Sequence, residues 1–310
     1  MSIKHILLML KGIAMGAADV VPGVSGGTIA FITGIYDELL KSIKSISVDA
    51  LKLLFKGHFK QFMQHINGYF LITLLSGVVI SVLSLAKLMV WLLKNQPIPT
   101  WSFFFGLIIA SSILVATSVK EWNWKTIISS LIGVGIAYYI TIASPTTTPD
   151  GYWFIFLSGA IAICAMILPG ISGSFILLLL GKYSFIMDAI SQFKLDIICV
   201  FGAGAAIGII SFSHLLTWLL KRYNNITIAL LTGFMVGSLN KVWPWKRCIE
   251  SYIDKNGVEQ PLTEQSILPS SYETIVGAEA HVTEAIVFCL AGLILVGGIE
   301  YIAKRVEKRA

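Results

Sequence analysis

Charge is scarce in this sequence. Only 13% of its 310 residues are Asp, Glu, Lys or Arg, whereas 56% are hydrophobic, and the mean hydropathy is +0.81. A soluble globular domain carries about 25% charged residues. The deficit therefore excludes an ordinary soluble protein, and the many long apolar runs indicate a multi-pass membrane protein.

Cysteine is also scarce, and its placement excludes further classes of protein. Three of the four cysteines (Cys164, Cys199 and Cys289) lie in apolar segments, and only Cys248 lies in a polar loop. Neither a disulfide framework nor a metal-ligand spacing is indicated. We therefore expect no metal and no cofactor.

Long apolar segments are what the sequence has instead. Six uninterrupted ones could each cross a bilayer core of about 30 Å as a helix; they span residues 68–93, 101–119, 125–143, 197–220, 226–243 and 282–303. Two further apolar regions, 5–43 and 152–191, are each split by a Pro-Gly pair. Their halves are short for full crossings, so we expect re-entrant hairpins with tips at 22–26 and 169–173. Full crossings remain the alternative.

The chain contains an internal repeat. A shift of 147 residues lays VVPGVSGGTIAFITGIY on ILPGISGSFILLLLGKY, and a shift of 127 lays GVVISVLSLAKLMVWLLK on GAAIGIISFSHLLTWLLK. Each repeat, 1–143 and 144–310, would hold one broken hairpin and three transmembrane helices. Since a hairpin adds an even number of crossings, the second repeat must be inverted. The predicted fold is an all-α polytopic membrane protein with two inverted-topology repeats, an architecture typical of transporters.

Basic residues predict the orientation. With the N-terminus inside, most Lys and Arg fall on the inner side, as the positive-inside rule requires, and both termini are cytoplasmic. This placement accounts for the net charge of +6 without a nucleic-acid partner. The polar loop 244–281 would lie outside. The segment LKLLFKGHFKQFMQH would lie on the inner membrane surface, where its lysines meet anionic lipid headgroups.

The hairpin tips are the candidate binding site. Broken backbone at membrane depth is tolerated where protein or a polar cavity receives it. Ser25 and Ser172 are placed to N-cap the second half-helix of each hairpin, whose free N–H groups would suit a phosphate. The candidate phosphate-binding residues are Pro22, Gly23, Ser25, Gly26, Gly27, Thr28, Pro169, Gly170, Ser172, Gly173 and Ser174. Alternatively, these residues only make tight turns that let the hairpins pack closely.

Three ionisable residues inside apolar segments complete the set of candidates. Asp19 lies beside the first tip and is the candidate site for proton or cation coupling, because a carboxylate at membrane depth is costly. The alternative role of the Asp19 carboxylate is a hydrogen bond to the backbone of the turn. Lys87 and His214 occupy equivalent positions of the two repeats and could flank a lipid phosphate. Snorkelling toward the membrane surface explains this pair equally well.

The segments GAADVVPGVSGGTIAFITGIYDELL and MILPGISGSFILLLLGKY resemble PopT, the bacterial polyprenyl-phosphate transporter family, formerly a domain of unknown function. The resemblance covers nearly the whole chain, least of all the loop 244–281. It implies a transporter in the cytoplasmic (inner) membrane that returns undecaprenyl phosphate, the lipid carrier of cell-wall building blocks, from the outer to the inner leaflet. Its partners would be this lipid and other membrane lipids.

Two other functional classes were compared with this one. A lipid phosphatase needs a nucleophile or general acid with arginines at the phosphate. No arginine lies within an apolar segment and no catalytic set is present, so we expect no enzyme. An ion-coupled carrier or channel for a small anion would share the repeats and tips without needing room for an isoprenoid tail. It remains the alternative function.

Overall fold

The protein is described here from a computed structural model, which covers residues 3–19, 25–145, 148–253 and 259–307. Its first half contains α1 (Ile3–Asp19), α2 (Gly26–Ile32), α3 (Tyr36–Lys44), α4 (Val48–Phe55), α5 (Phe59–His65), α6 (Gly68–Asn95), α7 (Pro97–Thr117) and α8 (Trp124–Ile142). Its second half contains α9 (Tyr152–Ile167), α10 (Gly173–Leu179), α11 (Tyr183–Ser191), α12 (Leu195–Arg222), α13 (Asn224–Ser238), β1 (Lys246–Ile253), β2 (Glu259–Ser266), α14 (Pro269–Val276) and α15 (Val282–Glu307).

The helical part confirms a multi-pass membrane protein. Among the described residues, α6, α7, α8 and α12 are each long and apolar enough to cross a membrane, and the bent pair α10–α11 would make a fifth span. The segment predicted over 226–243 is shorter than expected, because α13 ends at Ser238 and the chain then turns through residues 239–242. Its 15 residues span only about 22 Å.

The polar loop departs from the all-α prediction. Strands β1 and β2 pair antiparallel, with Lys246 opposite Ser266 and Cys248 opposite Glu264. Both strands are rich in polar residues and lack the clear apolar alternation that predicts a strand, so the sequence reads as an irregular loop. Their backbone groups satisfy one another, which lets a polar segment fold outside the apolar part of the molecule.

Both split regions are broken helices. In the first, α1 ends at Asp19 and α2 begins at Gly26; in the second, α9 ends at Ile167 and α10 begins at Gly173. The second break contains Gly170 at φ +85°, in the left-handed region that glycine occupies without strain. Each tip is followed by a helix of seven residues and then by a third, nine-residue helix. Between α10 and α11 the chain bends by 112°.

The helices of the two halves pack in corresponding pairs. Helix α1 packs along α6 as α9 packs along α12, and α7 packs along α15 as α13 packs along α8. The last two pairs each join one half of the chain to the other. The two halves are therefore interleaved rather than side by side.

Glycines mark the closest approaches in these pairs, and they recur at equivalent positions. A Cβ added to any of four glycines would collide with a backbone carbonyl of the facing helix: Gly12 with Leu74, Gly159 with Phe201, Gly106 with Cys289 and Gly233 with Ser130. The first and second contacts are related by the two sequence shifts of the repeat, 147 and 127 residues. The repeat thus extends from sequence to packing.

Candidate functional site

The two broken helices contact each other, and Ser25 joins them. Its Oγ accepts a hydrogen bond from the backbone N–H of Gly27 at 3.1 Å, which confirms the predicted N-cap of α2. The same hydroxyl lies 3.0 Å from the carbonyl oxygen of Met166 and 3.1 Å from that of Leu168, so its proton is shared between them. Ser25 therefore caps its own helix and binds the end of α9.

Two more hydrogen bonds link the first hairpin to the second. The Thr28 hydroxyl accepts from the backbone N–H of Gly170 at 3.1 Å, and the Tyr36 hydroxyl donates to the carbonyl of Ile167 at 3.2 Å. The carbonyls at a helix C-terminus lack partners within the helix. The last carbonyls of α9 thus find their donors on the first hairpin, and the tips are connected across more than 130 residues of sequence.

Asp19 lies at the N-terminus of α2. Its Oδ1 accepts the backbone N–H of Gly26 at 2.7 Å, which is the bond to turn backbone foreseen as its alternative role. The N–H groups of Gly27 and Thr28 bind Ser25 Oγ and Ser25 O. The first three amides of α2 are therefore occupied, and a phosphate could reach the amide of Gly26 only by displacing the carboxylate.

The second tip is built differently. Ser172 occupies the N-cap position of α10, but its hydroxyl lies 2.9 Å from that of Ser174 and makes no capping bond among the described residues. A Cβ on Gly173 would lie 2.5 Å from the carbonyl oxygen of Ala162, and one on Gly170 would lie 2.9 Å from the Cα of Met235. These two glycines permit close packing of the tip against α9 and α13.

The remaining predicted residues are placed as follows. Pro22 and Gly23 lie outside the described residues, as does the side chain of Lys87 on α6. Pro169 lies in the break between α9 and α10. The imidazole of His214 lies on an exposed face of α12 and donates from Nδ1 to the carbonyl of Ile210 at 2.8 Å. The structure therefore describes the side chain of only His214 in this pair, and its described hydrogen bond is to its own helix.

A buried cluster of charges beside the second tip was not predicted. Lys241 Nζ and Lys246 Nζ lie 3.3 Å and 3.4 Å from the same oxygen of Glu264. The three side chains are only 17%, 8% and 23% exposed. The ammonium groups also lie over aromatic rings, Lys241 4.3 Å from the centroid of Phe175 and Lys246 4.4 Å from that of Trp101. We call these three residues the basic cluster.

Burial sets the protonation of the basic cluster. It lowers the pKa of Lys246 to about 8, although the neighbouring Glu264 carboxylate opposes the change. Burial alone would raise the pKa of Glu264, but Lys246 and Lys241 together outweigh it and keep that pKa below its usual value. At neutral pH Lys246 is therefore an ammonium group and Glu264 a carboxylate.

Two cavities adjoin the basic cluster. A small one is bounded by the second tip and Lys241; its lining residues are Ala137, Ile140, Thr141, Gly170, Ile171, Ser172, Phe175 and Lys241. A larger one of about 560 Å³ is mainly apolar; its lining residues are Phe105, Leu239, Asn240, Trp243, Ser266, Ile267, Leu268, Ser271 and Ile275. The larger cavity is lined by Asn240, which precedes Lys241 in the chain, and by Ser266, which pairs with Lys246 across the strands.

Together, the fold and this site define a class of protein: a multi-pass membrane protein whose two broken hairpins face each other beside a buried cationic cluster. The comparison of sequences identifies the family. Residues 15–260 match the family described as undecaprenyl phosphate translocase-like, and the chain belongs to it. The predicted family resemblance is thereby confirmed.

Two relatives in this family are named transporters, not enzymes. A polyprenyl-phosphate transporter of Vibrio cholerae serotype O1 is 46% identical over 304 residues, which cover 98% of this chain and 99% of the relative. A polyprenyl-phosphate transporter of Staphylococcus aureus is 37% identical over 257 residues, covering 76% and 85% respectively. No solved structure matches the chain.

Proposed function

We propose that this protein transports a polyprenyl phosphate, returning undecaprenyl phosphate from the outer to the inner leaflet of the bacterial cytoplasmic membrane. The observation that carries the proposal is the 46% identity, over nearly the whole chain, to a protein named polyprenyl-phosphate transporter. The facing hairpin tips, with Asp19 at one and the basic cluster at the other, supply polar groups within an otherwise apolar protein.

Alternating access through inverted repeats is the mechanism we infer. The corresponding helix pairs and the equivalent glycine contacts support two structural repeats, 1–143 and 144–310. Transporters built in this way expose a central site to one side and then to the other by moving one repeat against the other. In this scheme the regions 5–43 and 152–191 are re-entrant hairpins entering from opposite sides, and the tips are the meeting point of the two pathways.

The orientation follows from the distribution of charge. The termini and the segment 51–65 would be cytoplasmic, and the loop 244–281 would face the outside. Exposed aromatic rings support a surface position for α4 and α5, since Phe55 at the end of α4 is 86% exposed and Phe59 at the start of α5 is 63% exposed. Rings of this kind can enter the lipid interface while the neighbouring lysines contact headgroups.

Asp19 is the residue we propose for coupling. Its bond to the Gly26 N–H places a carboxylate where both tips meet, and a proton or cation arriving there would weaken that bond. Because this bond closes the first tip, its strength would affect how readily the tip opens for a phosphate. Thr28 and Ser172 would then contribute hydroxyl groups to the transient site.

Transport of a fluorescent undecaprenyl phosphate between the leaflets of proteoliposomes tests the proposal. Wild-type protein should accelerate it over protein-free vesicles and should not accelerate the uncharged alcohol. Asp19→Asn retains an oxygen for the Gly26 N–H, so it should fold but translocate more slowly or with a changed pH dependence. Movement of phosphate or chloride without movement of the lipid would instead favour the small-anion carrier.

A further inference from the structure

We infer that the basic cluster is the site at which the phosphate of a polyprenyl phosphate first binds, with Lys241 as its direct ligand and the adjoining 560 Å³ cavity receiving the first isoprenoid units. The inference rests on the proposed function and assigns its substrate to named residues of loop 244–281 and its surroundings. None of these residues belongs to the hairpin motifs of the sequence.

The charge of the cluster points to an anionic ligand. Within the described part of the chain, two lysines share one oxygen of one carboxylate, which leaves an excess of one positive charge in a mostly buried position. Burying a charge without an opposite charge is costly. A phosphate monoester carries between one and two negative charges at neutral pH and would compensate this excess.

Lys241 is the member of the cluster that can reach a ligand. Lys241 lines the small cavity together with Gly170, Ile171 and Ser172; at about 10 Å³ this space is the size of one water molecule, so a phosphate would have to widen it. Lys246 is held more firmly, because its Nζ donates to the carbonyl of Lys241 at 2.6 Å and lies over Trp101. We therefore assign contact with the phosphate to Lys241, whereas Lys246 and Glu264 position it.

The position of the larger cavity favours a phosphate that carries an apolar chain. Most of its lining is apolar, with Phe105 and Trp243 in edge contact at 5.4 Å between ring centroids. The Trp243 Nε1 donates to the carbonyl of Ile267 at 2.8 Å, so its polar atom is satisfied and its ring remains as an apolar wall. A free phosphate ion has no apolar part to bury in this cavity, whereas an isoprenoid segment next to the headgroup would fill it.

The experiment measures binding to purified protein in nanodiscs, using a short-chain polyprenyl phosphate, the matching polyprenol and inorganic phosphate as ligands. Lys241→Gln should weaken binding of the polyprenyl phosphate about tenfold or more, the loss typical of a charged hydrogen bond, and should leave polyprenol binding unchanged. Arg247→Gln is the matched control: it removes one positive charge from the nearby strand β1, at an exposed side chain bonded to Gln265, and should change neither.

Glu264→Gln separates ligand binding from a structural role. Removing the competing carboxylate should strengthen binding of the polyprenyl phosphate, whereas a purely structural cluster would bind more weakly or not at all. Lys241→Arg keeps the charge and should retain binding. These two variants test whether the basic cluster binds the phosphate even if Lys241→Gln does not fold.

Other outcomes distinguish the inference from the function on which it rests. If wild-type protein prefers the phosphate over the polyprenol and Lys241→Gln prefers it equally, the basic cluster is not the site while the proposed function stands. Weaker binding in Glu264→Gln would overturn the inference as well. Equal affinity for inorganic phosphate and for the polyprenyl phosphate would contradict the assignment of the 560 Å³ cavity to the isoprenoid units. A wild-type protein that does not discriminate phosphate from alcohol would overturn both proposals.

Discussion

Single residues at equivalent positions of the repeat have different roles. Sequence alignment pairs Ser25 with Ser172, and local helix chemistry correctly predicts that both occupy N-cap positions. Local chemistry does not reveal that, of these two serines in the described structure, Ser25 alone makes the capping bond, nor that it also binds the carbonyls of Met166 and Leu168 at the end of α9. Those carbonyls are more than 140 residues away, so nothing in the local sequence indicates them.

The two serines therefore provide a matched pair for mutation. Ser25→Ala removes a buried cap and leaves two α9 carbonyls without this donor, and we expect a loss of about 2 kcal/mol. Ser172→Ala removes only a contact with another hydroxyl and should lose less than about 1 kcal/mol. Thermal unfolding in detergent measures both. Equal destabilisation would contradict the tip-to-tip role of Ser25.

The basic cluster shows why some site residues escape sequence reasoning. Polar residues of a loop are most often solvated, so Lys246 and Glu264 give no signal of their own, and Lys241 lies at the end of the predicted segment 226–243, where a lysine is expected at the membrane surface. The register of the hairpin brings two of them together: Lys246 lies opposite Ser266, and Glu264, two residues earlier on the same face, is its diagonal neighbour. Such a pairing is visible only once the strands are aligned.

At the scale of elements, glycine within an apolar helix marks close packing at some positions and not at others. Gly133, Gly204 and Gly208 face the backbone of a neighbouring helix, whereas a Cβ at Gly135 or Gly202 would meet nothing within 4 Å among the described residues. Periodicity and the Pro-Gly breaks predict where helices run and end. They do not predict which face of a helix meets its partner, because both faces of a membrane helix are apolar.

Gly204→Ala and Gly202→Ala test this packing on one helix. The first adds a methyl group against the carbonyl of Phe156 and should destabilise the protein by about 1–3 kcal/mol. The second, two residues away, should be neutral or slightly stabilising. Gly77→Ala meets the carbonyl of Met9 at the equivalent position of the repeat and should resemble Gly204→Ala. Unfolding in detergent would contradict the packing if Gly204→Ala and Gly202→Ala were equally stable.

At the scale of the whole molecule, the internal repeat predicts more than local patterns do. It predicts that the two broken regions correspond, and the observed helix pairs follow that correspondence. It does not predict that α7 packs with α15 and α8 with α13. This exchange depends on the three-dimensional arrangement of the two halves. The inversion inferred from the parity of crossings stays a prediction.

The proposed orientation can be measured with two single cysteines. In a variant lacking Cys164, Cys199, Cys248 and Cys289, Lys56→Cys and Glu279→Cys both place a thiol at an exposed position. In intact cells an impermeant thiol reagent should label the second and not the first. Inverted membrane vesicles should give the opposite pattern, and labelling of both sites from outside would contradict the inverted topology.

The exchange of helix partners also bears on how the protein is made. Helix α7 is synthesised long before its partner α15, and α8 is likewise synthesised before its partner α13. Until α15 has been made, the face of α7 that carries Gly106 can contact only lipid, the insertion machinery or earlier helices. The native packing of α7 therefore forms only after α15 has been synthesised, and a chain shortened before residue 282 loses the partner of α7 even though every helix of its first half is present.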